Sequence, residues 1–448
     1  VSARKLPEVL ATYPECREHP LLRPEHALLV ELATELDHTP MHLGTHLGGF
    51  IITREPIDTW MPLQWAAKGV VVSQYDKDDI EALGLVKMDI LGLRTHSAIS
   101  DTVRMARERV ERSVCSEAVA AGVPVAEAEA AAREAALVAV PEPFELAHDD
   151  PRVYATIAAA DTVGMFQLES SGQRNLALRL KERDFEDIIA AISLFRPGPL
   201  EAEMITPFIR RRHGLEPVTV PHPAMEEILR GSYGVIVYQE QVLQVAKAVA
   251  GFTLAEADSL RRAMTKGRSR EAMEVIRSHF VERACSLGAE REVAEEVFRQ
   301  LEGFAAYGFC KAHAACFAVV SYATAWLKTY YPAEFAAAIL NNEPMGFYSP
   351  RLVLDDVRRH GIGVLPPHIN ASLAEFRVEQ DGGAVRVGLG SLLSMTSRLL
   401  AVMEAERSVR PFADIADFLK RTRAEEPAVR SLIRVGALDG LGMTDAGR

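Results

Sequence analysis

The segment AHAACFAVVSYATAWL, residues 312–327, is the most apolar stretch of the 448-residue chain and constrains its fold more than any other. His313, Ser321, Tyr322 and Thr324 interrupt this segment, so it lacks the roughly 20 uninterrupted apolar residues of a membrane span. A helix that is apolar on most of its sides is stable only inside a protein core. We therefore predict a buried helix here and no membrane-spanning segment.

Composition places the chain among ordinary globular proteins, with 48% hydrophobic and 25% charged residues. At roughly 100–200 residues per domain, the length predicts about three domains. The five cysteines form no CxxC pair, and so sparse and odd a set indicates a reducing cytoplasm rather than a disulfide framework. Because the chain starts at Val1 with no signal peptide, we expect it to be an internal part of a longer protein.

The net charge of −12, from 50 basic and 62 acidic residues, argues at first against a nucleic-acid ligand. The charge is unevenly distributed, however: RRAMTKGRSR (261–270) contains five basic residues and no acid, and IRRRHG (209–214) contains three arginines. Such clusters can follow a phosphate backbone. They are also typical of solvated helix faces, and charge alone leaves both interpretations open.

Turn signals and periodicity divide the chain into a small α/β piece and a long helical part. Residues 39–95 combine a loop that leads into a strand with a second strand, an acidic turn, a short helix and a third strand. Nearly everything after them has helical patterning, including an Ala- and Glu-rich surface insertion at 116–140. Thr253 and Glu256 form a capping box that predicts the start of a helix ending in residues 261–270.

A single carboxylate, Asp89, interrupts the apolar strand predicted in GLVKMDILGL (84–93). Burying an unpaired carboxylate is costly, so a buried Asp89 needs a partner. Lys87 stands two residues away and points to the same side of a strand, which makes a structural ion pair one explanation. A carboxylate beside a cation at a strand end is also typical of a site for a divalent metal or a phosphate. The residues alone leave both explanations open.

Arg261 and Arg262 lie at the predicted end of a helix, and Lys266 follows them closely. One or two basic residues there would be explained by the helix dipole. Five exceed that need, and guanidinium groups at this density suit a polyanion such as a triphosphate or a nucleic-acid backbone.

The segment YGFCKAHAACFA (307–318) places Cys310, His313 and Cys316 at three-residue spacing, which suggests a zinc site. Three ligands whose positions drift around a helix make a poor tetrahedral site, so a contact of Lys311 and His313 with a phosphate or base pair is the favoured alternative. No GxxxxGK[ST], GxGxxG, HExxH or GxSxG sequence occurs. The chain therefore lacks the usual signatures of P-loop ATPases, Rossmann-type dinucleotide oxidoreductases, zincins and α/β-hydrolases.

Several segments, read in order, resemble the bacterial C-family DNA polymerases, the alpha subunits of DNA polymerase III. They are HLGTHLGGFIITREPI, SQYDKDDIEALGLVKMDILGLRT, DDPRVYATIAAADTVGMFQLESSG, LFRPGPL, SYGVIVYQEQVLQVAKAVAGFTLAEADSLRRAMTK, YGFCKAHAACFAVVSYATAWLKTYYPAEF and LPPHINAS. They span residues 42–372 in the order of that family, and VRSLIRVGALDGL extends the resemblance toward the end of the chain.

This resemblance implies an α+β, mostly α fold with a small mixed palm remnant of the nucleotidyltransferase type. The implied domains are the end of the thumb or its connection to the palm (1–38), the C-terminal part of the palm (39–95), helical fingers (96–345) and a helix-hairpin-helix-type region that binds duplex DNA (346–448). The implied activity is template-directed transfer of deoxynucleotides from dNTPs to a primer 3′-hydroxyl by two-metal-ion phosphoryl transfer, in replication or damage-tolerant repair.

The resemblance also implies the roles of individual residues. Asp89 matches the third of three acids that hold two Mg²⁺ ions, and the other two are expected before Val1, so we expect this chain to be inactive alone. The implied nucleotide contacts are Lys87, Arg196, Arg261, Arg262, Lys266, Lys311 and His313. The implied DNA contacts are Arg210, Arg211, Arg212, Arg268, Arg270 and Gly436, the last through the backbone amides of a hairpin.

The expected partners are primer–template DNA, dNTPs, a sliding clamp and other replisome or repair-polymerase subunits, in the cytoplasm and away from membranes. Cys310 departs from the asparagine usual in the main replicative subunits. The segment NNEPMGFYSPRLVLDDVRRHG favours the accessory, error-prone paralogues, whereas KMDILGLRT and RRRHGLEP favour the replicase. A non-catalytic helical DNA-binding or assembly module is the alternative function.

Overall fold

The computed structural model describes residues 23–37, 39, 44–46, 48–195, 205–265, 270–305, 309–346 and 348–442. Within them the backbone is mainly helical with a few short strands, which confirms the predicted α+β, mostly α class. The chain divides into two units, Val1–Leu93 and Arg94–Arg448.

The helices of the described residues are α1 (Ala27–Glu35), α2 (Lys77–Ala82), α3 (Arg94–Ala120), α4 (Val125–Ala139), α5 (Pro151–Ala158), α6 (Ser171–Leu180), α7 (Phe185–Leu194), α8 (Ile205–Arg212), α9 (Glu226–Leu229), α10 (Gln239–Ala250), α11 (Leu254–Thr265), α12 (Arg270–Ser286), α13 (Arg291–Ala305), α14 (Lys311–Tyr330), α15 (Pro332–Asn341), α16 (Pro350–Arg359), α17 (Ser397–Val409), α18 (Ile415–Thr422) and α19 (Glu426–Arg434). The strands are β1 (Gly49–Ile52), β2 (Leu63–Trp65), β3 (Val71–Ser73), β4 (Val86–Asp89), β5 (Gly363–Leu365), β6 (Arg377–Glu379) and β7 (Ala384–Arg386).

In the first unit, β1 pairs antiparallel with β4, which places Gly49 opposite Asp89, and β2 pairs antiparallel with β3. The predicted acidic turn is the start of α2. The Asp76 carboxylate accepts hydrogen bonds from the backbone N–H groups of Asp78 at 2.8 Å and Asp79 at 3.0 Å. The Asp79 carboxylate accepts one in return from the Asp76 N–H at 3.2 Å. These acids therefore form a capping box that satisfies free amides of the first helical turn.

In the second unit, α14 contains the apolar segment 312–327 and confirms the prediction of a buried helix. Its residues 320–328 are all buried, and it packs against α3, α5, α7 and α15. A helix surrounded in this way presents little more than its ends to a ligand. Throughout the described part of the chain, no helix combines the length and the apolar character that crossing a membrane requires.

The C-terminal half of α14 carries a buried cation, Lys328, whose side chain is 3% exposed. Its ammonium lies 2.8 Å from both Asp161 Oδ1 and Asp356 Oδ2 and donates to the Val163 carbonyl at 3.1 Å. His360 joins the group through Nε2, which lies 2.6 Å from Asp161 Oδ2. Because a buried charge is tolerated only when it is paired, this network fixes α14 to α16.

Two further cores complete the second unit. One lies among α9 to α13 around Val242, Phe280 and Phe298, and the other lies near the C-terminus around Phe412 and Phe418. The start of α11 confirms the predicted capping box, since the Glu256 N–H donates to Thr253 Oγ1 and the Thr253 N–H donates to Glu256 Oε2. A small sheet has β7 in its centre, parallel to β5 and antiparallel to β6.

The predicted insertion at 116–140 forms part of a helical hairpin. Helix α3 continues through its first residues to Ala120, and α4 packs against α3. Ala128, Ala132 and Ala136, spaced one turn apart, are fully buried on one side of α4. Their small side chains let α4 lie close to α3, so this segment is more tightly packed than a surface insertion requires.

Replacing Ala132 by leucine should lower the free energy of unfolding by about 1–3 kcal/mol, because the added methyl groups overfill the contact between α3 and α4. Ala131→Leu is the matched control, since Ala131 is exposed on the same helix. Urea denaturation of both variants measures the effect. Equal unfolding midpoints for the two would contradict the packing described here.

Candidate functional site

Asp89 ends strand β4, and its side chain is 59% exposed. Its carboxylate forms an ion pair with the Lys87 ammonium, and its Oδ1 lies 3.8 Å from Nδ1 of His46. The hydrogen bond from Lys87 is the main reason that the pKa of Asp89 is lowered. The pair with Lys87 that the spacing suggested is therefore present, and the strand leaves this carboxylate open to solvent.

A divalent cation such as Mg²⁺ takes oxygen ligands, and an exposed carboxylate at a strand end fits as one of them. Asp89 belongs to no set of three or more closely spaced His, Cys, Asp or Glu ligands within the described residues. In the set found there, Asp161 and Asp356 already pair with the Lys328 ammonium, and His360 contacts Asp161. Asp89 thus fits as a single metal ligand that needs further acids to complete a site.

The zinc interpretation of Cys310, His313 and Cys316 gains no support, because the described residues bring no such ligand set together there. The His313 ring instead contacts two aromatic rings, with centroid distances of 5.2 Å to Phe309 and 4.3 Å to Phe317. His313 is exposed near the start of α14, where a flat ligand could reach its ring.

Lys311 is the first residue of α14 and is held at two points. Its backbone N–H donates to both carboxylate oxygens of Glu240, each at 3.1 Å. Its ammonium lies 2.9 Å from Glu186 Oε2 and 5.4 Å from the centroid of the Tyr238 ring. The side chain remains 45% exposed, so this ammonium is accessible to an anionic ligand.

The basic cluster of residues 261–270 has a compensating acid that the sequence analysis missed. Asp258, one turn before Arg261 and Arg262, forms ion pairs with both. These guanidinium groups lower the pKa of Asp258. The interpretation of five bases without an acid is therefore wrong for the first two. Lys266, Arg268 and the loop arginine Arg196 lie outside the described residues, as does the side chain of Arg270.

The arginine run in α8 is mainly structural. Arg212 is 5% exposed, and its guanidinium holds the buried Asp187 carboxylate, with Nε 2.6 Å from Oδ1. Arg211 donates to Glu216 Oε1 at 3.1 Å and to backbone carbonyls, including that of Tyr233. Arg211 and Arg212 thus have these donors directed into the protein, and their role as DNA contacts stays a prediction. Arg210 has 52% of its side chain exposed, so its guanidinium group is accessible to a DNA phosphate.

Gly436 ends helix α19 with a left-handed backbone, φ +70°. Its N–H donates to the Ile433 carbonyl at 3.1 Å, and the Ala437 N–H donates to the Leu432 carbonyl at 2.9 Å. This is a helix C-cap in which glycine avoids the cost of a positive φ. The Gly436 amide is therefore already used within the chain, and a phosphate contact through the backbone amides of this hairpin stays a prediction.

Other cations of the C-terminal region were missed in the sequence analysis, although Lys420 and Arg423 belong to the basic run KRTR (420–423). Lys420, Arg423 and Arg434 lie at or just beyond the ends of α18 and α19, are exposed, and make no ion pair with any described residue. Unpaired basic side chains at the ends of short helices are the signal that could have identified them.

Replacing Arg212 by alanine should lower the free energy of unfolding by about 3–5 kcal/mol, because it leaves the buried Asp187 carboxylate without its partner. Arg210→Ala, in the same run, is the matched control and should cost about 1 kcal/mol or less. Chemical denaturation measures both variants. An Arg212→Ala protein of unchanged stability but weakened DNA binding would restore the sequence interpretation.

Comparison with known proteins identifies related sequences along nearly the whole chain. Three family models match, described as the bacterial DNA polymerase III alpha NTPase domain (residues 3–92), the bacterial DNA polymerase III alpha subunit finger domain (129–288) and the helix-hairpin-helix motif (361–446).

Among curated relatives, the error-prone DNA polymerase of Symbiobacterium thermophilum is 38% identical over 456 residues, which cover 97% of this chain and 39% of that protein. The error-prone DNA polymerase of Mycobacterium tuberculosis strain H37Rv is 40% identical over 93% of this chain and 36% of its own length. That of Anaeromyxobacter dehalogenans strain 2CP-1 is 38% identical over 92% of this chain and 36% of its own length.

The chain thus spans somewhat more than a third of the length of these relatives. Their sequence identity and the order of the three domain matches establish that the chain belongs to the bacterial DNA polymerase III alpha-subunit family.

Proposed function

We propose that this chain supplies part of the palm (39–95), the fingers (96–345) and a duplex-binding region (346–448) of a damage-tolerant bacterial DNA polymerase, with residues 1–38 leading from the thumb. The whole protein would transfer deoxynucleotides from dNTPs to a primer 3′-hydroxyl on a DNA template. The observation that carries this proposal is 38–40% identity, along nearly the entire chain, to proteins named error-prone DNA polymerase. The same relatives favour the error-prone branch over the main replicase.

Asp89 is the proposed metal ligand of the palm, together with acids from outside this chain. An exposed carboxylate paired with only one ammonium can exchange that ammonium for a divalent cation without a large desolvation cost. Bound Mg²⁺ would activate the primer hydroxyl and neutralise charge on the triphosphate. Lys87, released from Asp89, would then be free to contact a phosphate.

The proposed nucleotide contacts in the fingers are Arg196, Arg261, Arg262, Lys266, Lys311 and His313. Arg262 and Lys311 are substantially exposed and held only by solvent-accessible acids, so their charges can be transferred to a triphosphate. Phosphoryl transfer through a loose transition state depends on positioned cations more than on covalent chemistry. The exposed ring of His313 offers a surface for a base.

DNA contacts are proposed for Lys420, Arg423 and Arg434 in the region matched by the helix-hairpin-helix model, and for Arg210, Arg268 and Arg270 in the fingers. Arg211, Arg212 and the backbone amides around Gly436 stay proposed contacts as well, although hydrogen bonds within the chain already engage the two guanidinium groups and the Gly436 amide. Each exposed cation that binds a phosphate should add to the salt dependence of DNA binding. A sliding clamp and other replication or repair subunits remain proposed partners of the whole protein.

The replacement Asp89→Asn in the full-length protein should reduce single-nucleotide incorporation on a primed template by about 10³-fold, because several kcal/mol of transition-state stabilisation by the metal are lost. DNA binding should persist, since asparagine removes a metal ligand and no phosphate contact. Asp58→Asn, another exposed aspartate of the first unit, is the matched control and should incorporate normally.

Normal turnover by the Asp89→Asn protein would refute the metal role. The alternative of a non-catalytic DNA-binding module would be favoured by a different result. In that case the full-length wild-type protein would bind primed DNA with an affinity that rises steeply as the salt concentration falls, yet incorporate no nucleotide.

A further inference from the structure

The N-terminal ends of three helices meet around Lys311. Glu186 is the second residue of α7, Glu240 is the second residue of α10, and Lys311 is the first residue of α14. The segments that precede α10 and α14 are joined by a bridge between Tyr238 and Phe309, with the Gln239 N–H donating to the Phe309 carbonyl at 2.9 Å. The side chains of Glu186, Glu240 and Lys311 thus lie close together, where the core around α14 meets the core around α10.

Glu240 fixes the backbone at this point. Cys310 occupies the N-cap position of α14, and its side chain makes no capping hydrogen bond. The Glu240 carboxylate takes that role from another helix by accepting from the Lys311 N–H with both oxygens at 3.1 Å. A carboxylate at a helix N-terminus is favoured by the helix dipole. Glu240 is therefore already engaged by the backbone, and the Lys311 ammonium is left to Glu186.

Glu186 and Tyr238 hold that ammonium loosely. The Glu186 side chain is 65% exposed and the Lys311 side chain 45% exposed, so water surrounds their pair. Burial raises the pKa of Tyr238, helped by the charges of Glu186 and Glu240, and its ring faces Lys311 as a neutral phenol. An exposed pair of this kind contributes little free energy. A ligand with several phosphate charges can therefore displace the single carboxylate of Glu186.

We propose that Glu186 holds the Lys311 ammonium while no nucleotide is bound and yields it to the phosphates of an incoming nucleoside triphosphate. Glu240 meanwhile keeps the backbone of Lys311 in place, so that the ammonium moves without the helix moving. This inference rests on the proposed function, because it takes Lys311 as a nucleotide contact. Glu186 then competes with the dNTP phosphates for the Lys311 ammonium. It weakens dNTP binding and does not affect the chemical step.

The test uses the full-length protein with a primer–template and the matching dNTP. Glu186→Gln should lower the KM for the dNTP about two- to fivefold, the factor that corresponds to an exposed ion pair, with kcat unchanged. Lys311→Ala should raise the KM. In the double variant, Glu186→Gln should have no effect, since Glu186 acts only through Lys311. Glu226→Gln, an exposed first-turn glutamate of α9, is the matched control and should leave the KM unchanged.

The outcomes separate this inference from the proposed function. If Lys311→Ala raises the KM while Glu186→Gln leaves it unchanged or raises it, the competition by Glu186 is refuted and the nucleotide contact stands. A lower KM that persists in the double variant would also refute it, because Glu186 would then act by another route. If Lys311→Ala leaves the KM unchanged, the proposed contact of Lys311 is itself wrong.

Discussion

The burial of helix α14 is the constraint on which the rest of the second unit depends. Residues 320–328 lie wholly inside the core, and Lys328 adds a buried ionic attachment to Asp161 and Asp356. A helix held along this length cannot rotate or slide without breaking many contacts at once. Its N-terminal turn, which carries Lys311 and His313, is therefore a rigid platform at the edge of the core. The proposed nucleotide contacts on this helix, Lys311 and His313, take their position from this packing.

Two interactions between residues close in the sequence were predicted, although the pairs of Asp258 with Arg261 and Arg262, three and four positions away, were overlooked. The capping box of Thr253 and Glu256 and the pair of Lys87 with Asp89 each involve residues two or three positions apart, so spacing alone identified them. The apolar composition of residues 312–327 likewise required a buried helix. The exposure of Asp89 was not predictable, because an apolar strand on its own does not determine what covers its faces.

Interactions between residues distant in the sequence were not predictable from it. Arg212 pairs with Asp187, twenty-five positions earlier, and the Lys311 N–H donates to Glu240, seventy-one positions earlier. A run of arginines has the same sequence pattern whether its partners are buried acids or phosphates. The fold makes the distinction, by giving Arg212 a carboxylate and leaving Lys420, Arg423 and Arg434 without one among the described residues. Neutralisation within the chain, rather than local charge density, decides which cations remain available to DNA.

The proposed role of Asp89 as a ligand of a divalent cation is measured more directly by metal binding than by turnover. Mn²⁺ can be titrated into the full-length protein, bound to a primer–template and matching dNTP, with electron paramagnetic resonance reporting the free ion. We expect Asp89→Asn to weaken at least one Mn²⁺ site about tenfold or more while the variant remains folded. Superimposable Mn²⁺ binding curves for the wild-type and variant proteins would contradict it.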